Sequence, residues 1–146
     1  PSITFIWVGG IPFKQLGADY HAMQKLINSA PKNLKITGVI PHSDVSDYLA
    51  AANVFCLPAE QENHPMCVLE AAGAGLPIIL RDIPEYNDTF GDDAIRCKEG
   101  EFAAAVRKLQ KPTEYKKWQQ KTANVAKRFD SNAAAERLVQ LYRQLV

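Results

Sequence analysis

Short runs of consecutive apolar residues constrain the fold of this chain more than any other feature. Val54 to Leu57 is apolar throughout and ends at Pro58, and Ile78 to Leu80 is a second such run. A strand that is apolar at every position, and not only at alternate ones, needs cover on both of its faces. A parallel sheet with helices on each side gives that cover. The two runs therefore predict an α/β fold with a parallel sheet.

The same alternation of strand, loop and helix begins near the N-terminus. Two further strands are predicted at Thr4 to Val8 and Leu34 to Thr37, and a weaker last strand at Ala94 to Cys97. Apolar residues at helical spacing predict a helix from about Ala22 to Ala30. Another helix is predicted just beyond Ser43, whose side chain can cap it.

The helix that follows the third strand is predicted from Pro65 to about Ala74. Pro65 takes the first helical position and Gly75 lies just past the end. Three more helices, predicted to pack on the sheet, follow in the C-terminal third, where apolar residues again recur at helical spacing. Their apolar positions are Phe102, Val106 and Leu109; Tyr115, Trp118, Thr122, Val125 and Phe129; and Leu138, Leu141, Tyr142 and Leu145.

A lysine-rich stretch from Lys108 to Lys121 includes Tyr115 and Trp118, and it has two interpretations. The stretch can be a surface that faces a membrane. It can also be a solvated charged face whose aromatic residues anchor the helix in the core. The second interpretation is favoured, because aromatic residues at this spacing are more often core anchors.

Length and charge limit the class of protein. With 146 residues, 47% of them hydrophobic and 23% charged, the chain has material for one core, and a single domain over residues 1–146 is predicted. The formal net charge of +1 provides no field of one sign, so nucleic acid is not an expected partner. No apolar run approaches the roughly 20 residues that span a bilayer.

Cysteine content and the chain ends add two further expectations. Cys56, Cys67 and Cys97 are an odd number without Cys-x-x-Cys spacing, and they are predicted to be buried thiols in a reducing compartment. A strand-like run starts within two residues of Pro1, and helical spacing continues to Val146. The chain is therefore expected to be a fragment of a longer protein.

Three loops follow strands at the edge of the sheet where α/β proteins bind ligands. The first runs from Gly9 to Gly17, the second from Gly38 to His42, and the third from Pro58 to His64. The first loop lacks the Gly-x-Gly-x-x-Gly spacing of dinucleotide-binding proteins. Its adjacent glycines permit either close backbone approach to a ligand or simply a tight turn.

The third loop carries the most chemistry. Glu60, Gln61, Glu62, Asn63 and His64 precede a helix whose first turn contains no acid. The backbone N–H groups of that turn are therefore expected to be free for an anion, most naturally a diphosphate; they belong to Met66, Cys67 and Val68.

Glu70 lies one and a half turns into the helix, and side chains on a helix tilt toward its N-terminus. Glu62 and Glu70 can therefore reach one pocket, where carboxylates would accept hydrogen bonds from the paired hydroxyls of a ribose and a sugar. The alternative is that Glu62 is a solvated loop residue and Glu70 an acid on the helix surface.

The segment from Phe55 to Ile79 resembles the Glu-x7-Glu signature of the retaining glycosyltransferases of family four. The match comprises Pro58, both glutamates, the Leu-Glu-Ala core and the Ala-Gly-Leu-Pro ending. Upstream segments resemble the same family in the same order; they are Phe5 to Gly10, Thr37 to Ile40 and Asp47 to Ala52. The resemblance implies one half of a GT-B fold, a Rossmann-like three-layer domain with extra C-terminal helices and without its first βα unit.

The resemblance also implies roles for individual residues. Glu70 would hold the ribose hydroxyls, and Glu62 would be the catalytic glutamate at the donor sugar. The remaining donor-binding positions would be Asn63, His64, Pro65, Met66, Cys67 and Val68, the turn of Gly9 and Gly10, and the base-binding edge of Gly38, Val39 and Ile40. His64 would either contact the donor sugar or cap the turn. No metal and no cofactor would be required, because a helix terminus and basic side chains would carry the charge of the leaving diphosphate.

The implied parent protein transfers a hexose from a nucleotide sugar, UDP-glucose or similar, to an acceptor hydroxyl with retained configuration. The acceptor, a membrane glycolipid or another cell-envelope glycan, would bind the missing N-terminal half. The parent is expected in the cytoplasm or at the inner face of the membrane. A non-catalytic nucleotide-sugar-binding module and a GT-B epimerase remain alternatives.

The isolated chain carries expectations of its own. It would bind a nucleoside diphosphate weakly, would turn over nothing, and would self-associate through uncovered apolar surface. Arg81 and the segment from Asp82 to Tyr86 resemble a version of the motif found in glycolipid-forming enzymes of Gram-positive bacteria. Arg81 is nevertheless predicted to pair with Asp82 or Glu85.

Overall fold

The computed structural model describes residues 3–11 and 20–145 and has the predicted alternation of strands and helices. The chain divides into two units, Pro1–Tyr48 and Leu49–Val146. In the first unit, strands β1 (Phe5–Trp7) and β2 (Leu34–Ile36) pair in parallel, with helix α1 (Tyr20–Asn28) between them in sequence. Helix α2 (Val45–Ala51) follows a short 3-10 turn and runs across the boundary between the units.

The second unit contains a three-stranded parallel sheet in the order β3, β4, β5. Its strands are β3 (Phe55–Leu57), β4 (Ile78–Arg81) and β5 (Ile95–Cys97), so the predicted weak last strand is confirmed. Its helices are α3 (Met66–Gly73), α4 (Phe102–Leu109), α5 (Pro112–Arg128) and α6 (Ser131–Leu145).

The first three residues of the central strand β4, Ile78 to Leu80, are apolar because a core lies on each face of the strand. Ile78 and Leu80 join one cluster, which includes Val68 of α3 and Val125 of α5. Ile79 points the other way, into a second cluster with residues of α4. The predicted three-layer arrangement, with helices on both faces of a parallel sheet, is confirmed.

Helix α3 ends in a turn that directs the chain into β4. The amide of Leu76 donates to the carbonyl of Ala71 over 3.1 Å, and the amide of Gly75 donates to Ala72 over 3.0 Å. This pair of bonds is a Schellman motif, and it needs the positive φ of +76° that Gly75 adopts. The predicted glycine just past the helix end is confirmed.

Helix α5 contacts the rest of the second unit at two places along its length, through Trp118 and through Arg128. Trp118 packs against the second cluster, so the predicted role of this ring as a core anchor is confirmed. Near the other end, Arg128 forms an ion pair of 2.6 Å with Asp93. Burial raises the pKa of Asp93, but hydrogen bonds from Arg128 and Asn124 outweigh burial and leave the pKa below its usual value.

Three local expectations are wrong. Helix α6 contains no buried residue among those described, so it does not pack on the sheet as predicted. Cys97 is buried, but Cys56 and Cys67 are exposed. Ser43 lies inside the 3-10 turn before α2, and its hydroxyl donates to Asp44 over 2.9 Å in place of capping the helix. The first two errors concern tertiary surroundings, whereas the third arises from a local contact between adjacent residues.

Candidate functional site

The loop between β3 and α3 brings the predicted acidic residues to the start of a helix. Pro65 is the residue before α3, with an extended backbone at φ −72° and ψ 105°, and Met66 is the first helical residue. The prediction that Pro65 takes the first helical position is therefore wrong by one residue. The first turn has no acidic residue and the helix has no side-chain cap hydrogen bond within the described part of the chain.

One of the three predicted free amides has a partner within the chain. The N–H of Val68 donates to the carbonyl of Pro65 over 3.1 Å, because the helix begins with a tightened turn. The expectation of a free Val68 amide is therefore wrong. Met66 and Cys67 keep their predicted places on this turn, and both side chains are exposed.

Glu62 and Glu70 lie on either side of the helix start, and both are half-buried. Their common neighbour is Cys67. Desolvation by the surrounding protein, followed by the negative charges of Glu62 and Glu70, raises the pKa of the Cys67 thiol above its usual value. The charges of both carboxylates therefore affect the Cys67 thiol, and their meeting in one ligand pocket stays a prediction.

His64 packs at the side of this turn. Its ring lies 5.4 Å from the ring of Phe129, centroid to centroid, at a tilt of 57°. Since α3 has no side-chain cap hydrogen bond, His64 does not cap it. Contact between His64 and a donor sugar stays a prediction, as it does for Asn63, whose side chain is exposed.

Arg81, at the end of β4, binds the loop that carries Glu62. Its Nε donates to the carbonyl of Pro58 over 3.2 Å, and its Nη2 lies 3.4 Å from the carboxylate of Glu60. The predicted pairing of Arg81 with Asp82 or Glu85 is wrong. β3 and β4 are adjacent parallel strands, so the loop after β3 comes within reach of the residue that ends β4.

Asp82 pairs instead with Arg96 of β5, over 3.1 Å. The Arg96 guanidinium also donates to the carbonyl of Ile83 and lies 5.5 Å from the ring centroid of Tyr86. Sequence reasoning missed Arg96, and it included Tyr86 only as the last residue of a segment that resembles a family motif. The available signal was an arginine inside a strand between Ile95 and Cys97, because a charge at such a position needs a partner.

Two glycine turns of the first unit fit closely against each other. The Gly9 amide donates to the Thr37 hydroxyl over 3.1 Å, and Gly9 forms a single antiparallel bridge with Gly38. A Cβ atom on Gly10 would lie 3.0 Å from the Val39 nitrogen and 3.1 Å from the Gly38 Cα atom. The adjacent glycines therefore serve close approach of one backbone to another. A role of these turns, including Ile40, in binding a ligand stays a prediction.

Residues 3–11 and 20–145 contain neither a cluster of metal ligands nor a helix that could span a membrane. No group of three or more His, Cys, Asp or Glu side chains in these ranges is placed to hold a metal ion. No helix in them is both long enough and apolar enough to span a membrane.

Solved structures superpose on nearly the whole of this chain. Sucrose-phosphate synthase from Thermosynechococcus elongatus superposes with a TM-score of 0.76 at 23% identity, over 96% of this chain and 38% of that chain. Anabaena HepE in complex with UDP-glucose superposes with a TM-score of 0.76 at 16% identity, over 99% of this chain and 42% of that chain. These likenesses confirm the predicted fold class, one half of a GT-B fold.

Similar sequences agree with the fold. Alpha-galactosylglucosyldiacylglycerol synthase of Streptococcus pneumoniae (strain ATCC BAA-255 / R6) is 31% identical over 97% of this chain. Processive diacylglycerol alpha-glucosyltransferase of Acholeplasma laidlawii is 33% identical over 60% of it. The chain covers 37% and 26% of the length of these two relatives. The family model described as "Glycosyl transferases group 1" matches residues 1–111. This chain therefore belongs to the glycosyl transferases of group 1.

Proposed function

We propose that this chain is the donor-binding part of a retaining hexosyltransferase and that it holds a nucleotide sugar at the start of α3. The observation that carries the proposal is that two half-buried acids, Glu62 on the loop before α3 and Glu70 within α3, precede and follow a first turn that has no acidic residue. Two carboxylates therefore flank a helix N-terminus, which bears a partial positive charge. Such an arrangement suits a molecule with an anionic centre and a hydroxylated ring on each side.

The diphosphate would lie against the first turn of α3. The side chains of Met66 and Cys67 are exposed there, and no acidic residue of that turn competes for its backbone N–H groups. Anions bind such helix termini through these groups and the helix dipole. The leaving diphosphate would gain stabilisation from the same source during transfer. We propose that transfer needs no metal and no cofactor.

The two glutamates would hold the two rings. Glu70 lies within the helix and would accept hydrogen bonds from the ribose hydroxyls, and Glu62, on the preceding loop, would bind the donor sugar. Hydrogen bonds to ionised carboxylates are about twice as strong as bonds between neutral groups. Arg81 would hold the loop that presents Glu62, since it binds Pro58 and Glu60 of that loop.

The products for which the relatives are named support retention and a lipid acceptor. Two relatives are named for alpha-linked glycosyl products on diacylglycerol. A sugar that is α-linked in a donor such as UDP-glucose and α-linked in the product has kept its configuration. We propose that the whole protein acts on a glycolipid or another cell-envelope acceptor in the cytoplasm, at the inner membrane face, and that the acceptor binds outside this chain.

Calorimetric titration of the chain tests the proposal. UDP, GDP and ADP are each titrated beside the corresponding nucleotide glucose. We expect weak binding of one pair, with no sugar transfer by the isolated chain. Glu70→Gln should weaken both members of the pair about tenfold, the size expected for one hydrogen bond to a charged group. Glu62→Gln should weaken only the nucleotide sugar.

Glu136→Gln on the exposed surface of α6 is the matched control and should change neither affinity. Absence of binding for every nucleotide at millimolar concentration would contradict the proposal. Transfer of sugar to an added acceptor by the full-length protein would separate a transferase from a binding module or an epimerase.

A further inference from the structure

Tyr86 is buried in the core beneath α3 with an unused hydrogen-bond donor. Its side chain has no exposed surface and belongs to the same cluster as Val68, in the first turn of α3. The ring packs edge to face against Phe90, with centroids 5.3 Å apart. The hydroxyl oxygen is buried and has no hydrogen-bond partner in the described part of the chain.

A buried hydroxyl without a partner lowers the stability of a fold. Phenylalanine would fill the same space between Val68 and Phe90 without that penalty. The packing of the ring therefore does not explain the hydroxyl. An acceptor that forms only in a complex would explain it.

The carboxylate of Glu62 is the acceptor that the surroundings favour. Burial, followed by the negative charges of Glu62 and Cys67, raises the pKa of Tyr86 to about 12, although Arg96 opposes the shift and Glu85 adds to it. The phenol is therefore protonated at neutral pH and can only donate to a carboxylate. Glu62 is half-buried on the loop between Leu57 and α3, and both Leu57 and Val68 of α3 pack in or against the cluster that contains Tyr86.

We propose that Tyr86 is a positioning residue whose hydroxyl donates a hydrogen bond to the Glu62 carboxylate in the complex with a nucleotide sugar. The inference rests on the proposed function, because the hydrogen bond to Glu62 is proposed only for the complex with a donor sugar. Tyr86 does not touch the nucleotide in this arrangement. It fixes which way the carboxylate faces, and that orientation is needed by the sugar and not by the diphosphate.

Tyr86→Phe tests the inference because it removes only the oxygen. UDP-glucose, GDP-glucose and ADP-glucose are titrated into the chain, each beside its diphosphate. For the pair that the unmodified chain binds, we expect an affinity loss of about tenfold for the nucleotide sugar and less than twofold for the diphosphate. Tyr115→Phe, at a half-buried tyrosine of α5, is the control and should change neither.

Two further measurements keep the outcome decisive. The melting temperature of Tyr86→Phe without ligand should equal or exceed that of the unmodified chain, because an unpartnered buried hydroxyl has been removed. In a chain that already carries Glu62→Gln, the same substitution should cause less than a twofold change in nucleotide-sugar affinity, since the two groups act as a pair.

The possible results distinguish failure of this inference from failure of the proposed function. If the unmodified chain binds a nucleotide sugar and Tyr86→Phe binds it equally well, the inference alone is overturned. A lower melting temperature, or an equal loss of affinity for sugar nucleotide and diphosphate, would show a structural tyrosine and would also overturn it. If no nucleotide binds to the unmodified chain, both the proposed function and this inference fail.

Discussion

The two units begin from equally apolar strands and bury them to different extents. Ile6 in β1 keeps 50% of its surface exposed, whereas Ile79 in β4 keeps none. The difference follows from the neighbours of each strand. Among residues 3–11 and 20–145, β1 pairs with β2 alone, while β4 lies between β3 and β5 with a core on each face. An apolar run thus predicts a strand, but burial depends on how many elements pack on it.

The strand ends of the two units are also held by different means. In the first unit, the backbones of two turns are in direct contact, because Gly9 forms an antiparallel bridge with Gly38. In the second unit, a side chain spans the gap, because Arg81 of β4 binds the loop that follows β3. The turn of the first unit therefore depends on close backbone packing, whereas the loop of the second unit is bonded to an arginine side chain. The loop proposed to bind the donor sugar is of the second kind.

The largest expected effect compares the same substitution in the two units. Ile79→Ala should lower the free energy of unfolding by about 3–4 kcal/mol, because it leaves a cavity in a fully buried core. Ile6→Ala should cost only about 1 kcal/mol, since half of the side chain already contacts water. Urea denaturation of both variants measures the difference. Equal losses would contradict the comparison, since they would mean that Ile6 is as buried as Ile79.

The contrast also explains how much of the fold could be predicted. Strand and helix positions follow from local patterns, so Ile95–Cys97 and Phe102–Leu109 lie where the sequence indicates. Partners across the fold do not follow from such patterns. Arg81 is beside Asp82 in sequence, but neighbouring side chains on a strand point to opposite faces, and Glu60 lies on the same side as Arg81.

For the site, the sequence predicted the acidic pair and missed its surroundings. The eight-residue separation of Glu62 and Glu70 places both near Cys67, as a loop and the first turns of a helix would. Tyr86 lies beyond the next strand, and only tertiary packing brings it to the same helix. For helix α6, the sequence predicted packing that the structure does not have. Its apolar spacing predicts a packed face, yet Leu145 keeps 75% of its surface exposed.

The second prediction tests the backbone contact of the first unit. A glycine of the second unit, Gly73, is the matched control. Gly10→Ala should lower the free energy of unfolding by about 1–3 kcal/mol, because the new Cβ atom would press on the Gly38 and Val39 backbone. Gly73→Ala should raise it by about 0.5–1 kcal/mol, since Gly73 ends α3 with open space around it. Thermal denaturation reports both signs. A neutral Gly10→Ala would show that the two turns are not tightly packed.

The third prediction concerns the arginine that holds the loop of the second unit. Arg81→Gln should lower the free energy of unfolding by about 1 kcal/mol, because it removes the bond to the Pro58 carbonyl. Glu60→Gln should cost at most about 0.5 kcal/mol, since Glu60 is well exposed and surface ion pairs contribute little. If Glu60→Gln were the more damaging of the two in urea denaturation, the ion pair and not the carbonyl bond would hold the loop.

The smallest expected effect is electrostatic and tests whether the two glutamates flank one point. Desolvation and the charges of Glu62 and Glu70 raise the pKa of Cys67, so less thiolate is present at pH 8 than in a free cysteine. Glu62→Gln and Glu70→Gln each remove a negative charge and therefore lower that pKa. The rate of Cys67 alkylation by iodoacetamide at pH 8 should rise about twofold in each variant.

Mass spectrometry of the alkylated peptide follows Cys67 separately from Cys56 and Cys97, and Glu136→Gln on α6 is the control with no expected change. The two increases should shrink together as salt is added, because both arise from the loss of a negative charge that acts through solvent and protein. An increase in only one variant would mean that the other carboxylate lies elsewhere. A nucleotide bound at the start of α3 would then be gripped on one side only, and the assignment of its two rings to two glutamates would fail.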